Sequence, residues 1–480
     1  MIPFTGFLPD ADPSTPGLIS SCLDMIPTTK GMKAMPSFVS VGLPALSAAC
    51  LGAAVITKLD GTNRFFAGTE TKLYEGGSSS YTDVSRAGDY TTGDIRWRFT
   101  QFGNTSIAAN KVDILQFSAT GDFADITSSP KAETLDASSG FVMLGGVDLG
   151  GGAGFEADRW ICSAYLDHTD WVPSVVTQCT TGRLVDSPGP IRAMKALGSN
   201  FVAYKDRAVF LGTYVGAPGV FQWIQMPGEI GTFSQESVVS IITAHLFIGE
   251  ADIYAFDGSR PTPIGGGIKE WFFANINKLY RHRIIGMHER KESRVWWFFP
   301  KGSSSTLNAA IVYNYAVGKW GYIEQNIECP VEYVSAGLTF DGLGALFATY
   351  NDFPDVAYDS PYWLATSSMP AVINTSHVLQ SITGISAGGS ITTGNIGDDT
   401  QWTLLDRSRP RFDVSPTTAT MTNSYSDTDG VTFTTDETVS ISNGNFDVLR
   451  ASRWHKLTYT FTGDCEAIGH TITLKPDGLE

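Results

Sequence analysis

Between residues 73 and 323 the chain repeats one strand–turn–strand unit six times, and this repetition constrains its fold more than any single residue. Four copies are twelve residues long: LYEGGSSSYTDV from Leu73, LQFSATGDFADI from Leu115, IYAFDGSRPTPI from Ile253 and VYNYAVGKWGYI from Val312. AYLDHTDWVPSV from Ala164 carries its Trp one place early, and VFLGTYVGAPGVFQW from Val209 has a longer turn. An apolar or aromatic pair opens each copy, a Gly, Asp, Ser or Asn cluster turns the chain, and an extended stretch follows, which is the pattern of a hairpin. The starts lie 42 to 59 residues apart, a spacing that suits one four-stranded propeller blade per repeat.

Short runs between the copies, at 64–67, 201–204, 246–249 and 295–299, are rich in aromatic and β-branched residues and read as inner strands of the same blades. The expected fold is all-β: a β-propeller of about six blades with an N-terminal extended segment and a C-terminal antiparallel β domain. A large β-sandwich with coincidental turn similarity is the alternative.

Three regions are expected. Residues 1–62 are punctuated by Pro and Gly, as in PDADPSTPG and PTTKGMKAMPS, and read as extended segments that wrap other structure. Residues 63–370 hold the repeats. From 371 to 480 the texture changes to Ser, Thr, Asp and Gly with alternating strands, as in TATMTNSYSDTDGVTFTTDETVSIS, which points to an antiparallel β docking domain or platform with one wet face. Helix is scarce. The best candidate is 268–280, where Ile268, Trp271, Phe272, Ile276 and Leu279 share one face.

The 480 residues suffice for a large core. Charged residues make up 17%, below the usual quarter or so, so much of the surface is expected to be Ser/Thr/Gly loop or to be covered by neighbouring subunits. A net charge of −16 disfavours a nucleic-acid reader, whose affinity comes from clustered Lys and Arg. The densest basic stretch, from Arg281, His282 and Arg283 to Arg290, Lys291 and Arg294, is interrupted by Glu289 and Glu292 and reads as a solvated face.

The six cysteines, Cys22, Cys50, Cys162, Cys179, Cys329 and Cys465, have no C-x-x-C or zinc-finger spacing and read as buried free thiols of a protein made in a reducing cytoplasm. The start, MIPFTGFLPDADP, lacks the basic and long apolar regions of a secretory signal. The apolar run at 43–56 is short and rich in Ala and Gly, which fits a buried segment better than a membrane span.

Catalytic patterns are absent from the sequence: there is no G-x-S-x-G, phosphate loop or H-E-x-x-H. The Gly-rich run 145–154 lacks a surrounding βαβ unit and reads as a hairpin tip. Asp167, His168 and Asp170 could in principle hold a cation, but they occupy the turn of the third repeat, where such residues are favoured for their backbone. SDTDGVTF from Ser426 resembles a sialidase Asp-box, yet its Asp residues are off register and it occurs once, outside the repeats. Trp296, Trp297, Phe298 and Phe299 could stack sugars or bases, although consecutive strand aromatics face both ways and fill packed layers. No catalytic, cofactor-binding or metal-binding residue is assigned, and the chain is not expected to be an enzyme.

Taken in order, GFLPDADPSTPG…IPTTKGMKAMPS, KLDGTNRFFAGTETKLYEG, IYAFDGSRPTPIG…KEWFF and TGNIGDDTQWTLLDRSRPRFDVSP…FDVLRASRWHKLTYTFTG resemble the tail nozzle (tail hub) proteins of short-tailed bacteriophages. The resemblance covers most of the chain and is most specific at its two ends. It implies a structural virion protein, assembled in the host cytoplasm, six copies of which ring the DNA path below the portal and the tail adaptor protein. Tail fibres or spikes attach around such a ring. Genomic DNA passes through its lumen without sequence-specific binding, and the chain inserts into no membrane. Excess acid facing the channel would repel phosphates during ejection. The alternative function is a propeller that binds or hydrolyses receptor glycans.

Overall fold

In the computed structural model the chain is almost entirely β, with one short α-helix and two 3-10 turns among the described residues. The structure describes residues 1–479 apart from 153, 335–348, 350, 352, 354 and 357–366.

Successive strands pair antiparallel into four-stranded units that follow one another along the sequence. Blade 1 comprises Gly52–Thr57, Asn63–Gly68, Leu73–Gly76 and Tyr81–Asp83, and blade 2 comprises Arg98–Phe102, Thr105–Ala109, Gln116–Ser118 and Ala124–Asp125. Blade 3 is Lys131–Ser138, Phe141–Asp148, Phe155–Cys162 and Thr180–Arg183; blade 4 is Ile191–Leu197, Asn200–Lys205, Val209–Gly216 and Val220–Gln225. Blade 5 is Val239–Ser240, His245–Ile248, Ile253–Phe256 and Thr262–Pro263, and blade 6 is Ile285–Glu289, Arg294–Phe299, Ala309–Asn314 and Lys319–Ile323. Blade 7 takes three strands from one stretch, Ile327–Val334, Ser368–Asn374 and Leu379–Gly384, and its fourth, Ser37–Ser40, from near the N-terminus.

The first strand of each blade adjoins the first strand of the next, and that of blade 7 adjoins that of blade 1. The ring is therefore closed, and the fold is a β-propeller of seven blades. Five of the six sequence units are the third strand, turn and fourth strand of blades 1, 2, 4, 5 and 6; the copy at Ala164 lies in the loop between the corresponding strands of blade 3. Blade 7 has no such unit in the sequence because its outer pair is split between Leu379–Gly384 and Ser37–Ser40. That split accounts for the difference between six units and seven blades.

The region boundaries differ accordingly. The propeller takes Ser37–Ser40 and everything from Gly52 onward out of the segment 1–62, and it ends at Gly384, beyond 370. The N-terminal segment is woven into sheets more than it wraps them. Ile19–Leu23 joins Gly388–Thr393, Trp454–Thr462, Thr418–Ser426 and Thr434–Ser440 in one sheet. Met25–Pro27 and Met32–Ala34 link blade 6 to Glu466–Leu479, Gln401–Val414 and Phe446–Ser452 in a second.

These two sheets close on each other around Met421, Leu457, Tyr459, Phe461, Leu405 and Phe446, all buried. The period-two alternation of Thr418–Ser426 and Trp454–Thr462 puts every second residue into that core. The same apolar cluster runs on into blades 5 and 6 through Met25, Tyr322 and Trp320, so propeller and sandwich share one core.

The helix is Lys269–Asn275, shorter than the expected 268–280, and a 3-10 turn, Lys278–Arg283, follows it. Ile268, Phe272 and Ile276 are buried, but Leu279 is 74% exposed, because the chain leaves the helix at Ile276 and the 3.6-residue period stops there. The Asp10 carboxylate accepts from the N–H groups of Glu270 (2.6 Å) and Trp271 (2.9 Å), so a residue 260 positions away satisfies the helix N-terminus.

Candidate functional site

Strand 1 of every blade starts at the same end of the propeller axis, and loops joining strands 2 and 3 return to that end. Residues from these positions in all seven blades line one cavity of about 740 Å³. Ala49, Cys50 and Leu51 lead into blade 1, Asp94 to Arg98 into blade 2 and Phe233 to Gln235 into blade 5, while Glu133 and Arg192 lie at the start of blades 3 and 4. His282 and Arg283 lead into blade 6, and Ile327 and Glu328 open blade 7. This mouth is the candidate functional site.

Beside its wall lies a half-buried carboxylate. Glu236 sits in the 3-10 turn Gln235–Ser237, and its Oε1 lies 2.6 Å from Arg98 Nε, while Ser234 Oγ donates to Oε2 at 2.7 Å. Burial acts to raise the Glu236 pKa, but the guanidiniums of Arg98 and Arg96 and the Ser234 hydroxyl outweigh it and hold the group down to about 2. Arg98 Nη1 also donates to the Glu133 carbonyl at 2.6 Å, and the Glu133 carboxylate pairs with Lys111 at 3.0 Å.

Two cations are left over. Among the described residues neither Arg96 nor Arg283 has a carboxylate within 4.0 Å. Arg283 donates to the Ser305 carbonyl at 2.7 Å and lies over the Tyr280 ring at 4.9 Å, which fixes its direction without neutralising it. Burial, followed by the Arg283 charge, pushes His282 below its ordinary pKa. Gln235, only 4% exposed, donates through Nε2 to the Leu135 carbonyl at 3.0 Å, and its Oε1 has no partner. The mouth thus sets cations beside the carboxylates of Asp94, Glu133 and Glu328, and Gln235 Oε1 is enclosed next to it without a partner.

The basic stretch 281–294 does not form a single solvated face. Arg281 lies over Phe233 at 5.1 Å, Arg283 faces the mouth, and Arg294 forms a buried bidentate pair with Glu289 at 2.7 and 2.8 Å. Arg290, 74% exposed at the side chain, and the exposed Lys291 fit the expectation. The reason is topological: the stretch leads into blade 6 and crosses its first hairpin, passing from the axis through the core to the rim.

The other residues singled out in the sequence are not brought together. Asp167 accepts from Thr169 N (2.8 Å) and Oγ1 (2.6 Å), Asp170 accepts from Val172 N (3.0 Å), and His168 packs between the Phe102 and Phe117 rings of blade 2. This is turn chemistry and packing. Among the described residues no group of three or more His, Cys, Asp and Glu side chains could hold a metal ion. The described part of the Gly run, 145–152 and 154, is the end of one blade 3 strand and the hairpin that follows, and Gly150, with φ +78°, is in the left-handed region which that turn requires. Asp429 caps a turn by accepting from Val431 and Thr432 N.

Trp296, Trp297, Phe298 and Phe299 are all buried and alternate between two apolar clusters. Trp296 Nε1 donates to Glu289 Oε2 (2.8 Å) and Trp297 Nε1 to the Ser237 carbonyl (2.9 Å), so these indoles serve the packing between blades. Arg96, Arg98 and Gln235 carry no motif. Their common signal is position, each at the start of a first strand, and it becomes visible only when the blades are aligned on inner strands.

No family model matches the chain, and no curated protein matches it. Among solved structures it is similar to one titled "YCF48 bound to D1 peptide", with 13% identity and a TM-score of 0.37 over 73% of this chain and 97% of that one. At that level the likeness carries no argument, and the propeller assignment rests on the closed ring of first strands.

Proposed function

We propose that the chain is a structural subunit of the tail nozzle of a short-tailed bacteriophage, six copies of which form the distal DNA conduit below a tail adaptor protein, with fibres or spikes docked around it. One observation carries this reading: the segments in which the resemblance is most specific are joined in the fold. Lys33 of the N-terminal segment pairs with Glu466, Thr28 Oγ1 donates to the Glu466 carboxylate (2.6 Å), and Lys30 meets Asp413 at 2.6 Å. The two chain ends thereby make one sheet that continues into blade 6.

A propeller and sandwich with a shared core form a stiff block, and six such blocks around an axis can close through heterologous contacts. The low fraction of charged residues suits surface that neighbouring copies cover. Electron microscopy of particles from cells expressing the protein provides the test. Six copies around the tail axis below the adaptor are expected. Absence from particles, or trimers at their periphery, would end the nozzle reading and favour a glycan-directed propeller.

A further inference from the structure

We infer that Cys50 and Cys329 form an oxidation site, at which a two-electron oxidant of the peroxide class joins them in a reversible disulfide that locks blade 7 to blade 1. The inference concerns the propeller of one subunit and holds whether or not subunits form a ring.

The pair stands at the seam of the propeller. Cys50 leads into Gly52–Thr57, the first strand of blade 1, and Cys329 lies in Ile327–Val334, the first strand of blade 7. These two strands adjoin although they are far apart in the chain. Both cysteines are 3% exposed and belong to one apolar cluster. Their thiols are hydrogen-bonded to each other. Cys329 Sγ also reaches the Ala53 N–H of the blade 1 strand, so its side chain points across the seam. From the other side, Cys50 N donates to the Glu328 carboxylate at 2.9 Å, which fixes the backbone beside both sulfurs.

The remaining near pair is placed differently. Cys179 Sγ donates to the Cys162 carbonyl at 3.2 Å, but Cys162 packs with Phe141 and Cys179 with Ile107, in separate apolar clusters of blade 3. Glu328 and His377 stand 2.7 Å apart near the seam, yet among the described residues no three such side chains could hold a metal ion. Oxidation is the chemistry that two touching thiols can undergo without a third ligand.

Reactivity and access point the same way. The hydrogen bond from Cys50, supported by the charge of Arg96, holds the Cys329 thiol below its ordinary pKa in spite of burial. Burial raises the thiols of Cys22, Cys162, Cys179 and Cys465. The thiolate is the reacting form, so the seam is favoured over the other sites. Cys50 lines the axial cavity of about 740 Å³, which admits a molecule as small as hydrogen peroxide.

The Cys329 thiolate attacks one peroxide oxygen, the O–O bond breaks, and the departing hydroxide takes up a proton to leave as water. The Cys50 sulfur then attacks the sulfenic sulfur of Cys329. An S–S bond of about 2.0 Å forms, the S–O bond breaks, and a second water leaves with the thiol proton of Cys50. The two thiols lose two electrons and the peroxide gains them. The closed loop holds blades 1 to 6, and cross-links around long loops restrict the unfolded chain most.

The test uses the full chain, reduced and folded, treated with hydrogen peroxide and then quenched before its thiols are counted in denaturant. The count should fall by two, from six to four, with loss of two hydrogen masses per chain. Digestion without reductant should give one cross-linked species that joins the peptides of Cys50 and Cys329. Dithiothreitol should restore all six thiols, and the oxidised protein should melt at a higher temperature than the reduced one. Cys329→Ser should lose neither further thiols nor gain in melting temperature, while Cys162→Ser should still lose two. Six thiols surviving peroxide, oxygen added to either cysteine without a cross-link, a different pair joined, or equal melting of the two forms would overturn the inference. Peptide mapping of the unaltered chain decides the matter if a variant fails to fold. None of these outcomes bears on copy number in a particle, so this site and the nozzle reading stand or fall separately.

Discussion

Phe38 pairs with Ile382 across the outer edge of blade 7, and this contact between residues 344 positions apart completes the seventh blade. Ile382 is 3% exposed, and Phe38 packs partly buried against the same apolar cluster as Leu379, Val372 and Phe65. Replacing Phe38 with Asp sets a carboxylate beside that cluster and should destabilise the protein by about 2 kcal/mol. The loss should be local before it is global. Protease should cut the variant within residues 37–50 under conditions in which the parent and Leu59→Asp, changed at an exposed turn of blade 1, stay whole. Equal resistance of Phe38→Asp would mean that the seventh blade holds without its fourth strand.

The same contact marks how far the sequence could be read. Outer hairpins were legible because their turns are local: residues 74 and 83, or 254 and 263, pair within ten positions and need Gly, Asp or Pro between them. First strands carry no such punctuation, and nothing near Phe38 says that its partner is Ile382. The seventh blade was therefore hidden, and so were the sheets formed by Ile19–Leu23 and Met25–Pro27. The axial mouth was illegible for a related reason. Arg96, Gln235 and Arg283 are ordinary residues at ordinary spacings, and only ring closure makes them neighbours. Trp296 to Phe299 could be read correctly because strand geometry alone forces successive side chains to opposite faces.

Glu289 should be a sensitive position in blade 6. Its Oε2 accepts from Arg294 Nε and Trp296 Nε1, both at 2.8 Å, and its Oε1 from Arg294 Nη2 at 2.7 Å. Both side chains of the ion pair are under a tenth exposed. Glu289→Ala leaves a buried guanidinium and an indole N–H without acceptors, and should cost about 3–5 kcal/mol. Glu289→Gln retains one acceptor oxygen and should cost less. Removing both charges, as in Glu289→Met with Arg294→Leu, should recover much of the loss. Urea unfolding of the parent and these three variants measures the differences, and a double variant as weak as Glu289→Ala would contradict the account.

Acid should weaken the protein before any carboxylate is needed to explain it. His245 is fully buried in blade 5, and its Nδ1 lies 2.9 Å from Tyr204 Oη while Nε2 donates to the Ala196 carbonyl at 2.9 Å. Burial pushes its pKa down from 6.5 to about 4. The unfolded chain therefore binds this proton at higher pH than the native one does. Stability from neutral His245 is present in full above about pH 6.5, is lost as pH falls toward about 4, and changes no further below that, the total amounting to about 3 kcal/mol. His470, buried beneath Phe4 and pushed to about 4 by burial and the nearby N-terminal amine, adds to the slope with the same sign. Melting temperature measured between pH 7 and 4.5 should decline, and His245→Gln, although less stable at pH 7, should decline less steeply. An unchanged slope in that variant would remove His245 from the account.

All six cysteines are free and buried. Burial pushes the thiols of Cys162 and Cys179 up to about 12 and that of Cys465 to about 11, and Cys22 is raised further still. Since the thiolate is the nucleophile, both access and ionisation oppose reaction of these four in the native state, whereas Cys329, lowered by its hydrogen bond with Cys50, is protected by burial. A thiol reagent added to folded protein at pH 7.5 should label almost nothing over minutes, and six equivalents should react once denaturant is added. The order of appearance at intermediate denaturant is informative. Cys22 and Cys465 lie in the core shared by sandwich and propeller, whereas Cys162 and Cys179 lie in blade 3, which the N-terminal strands do not touch. If the shared core makes one cooperative block, all of these thiols should become reactive together. Separate exposure of Cys162 and Cys179 would show instead that blades on the far side of the ring open independently of the seam that the chain ends close.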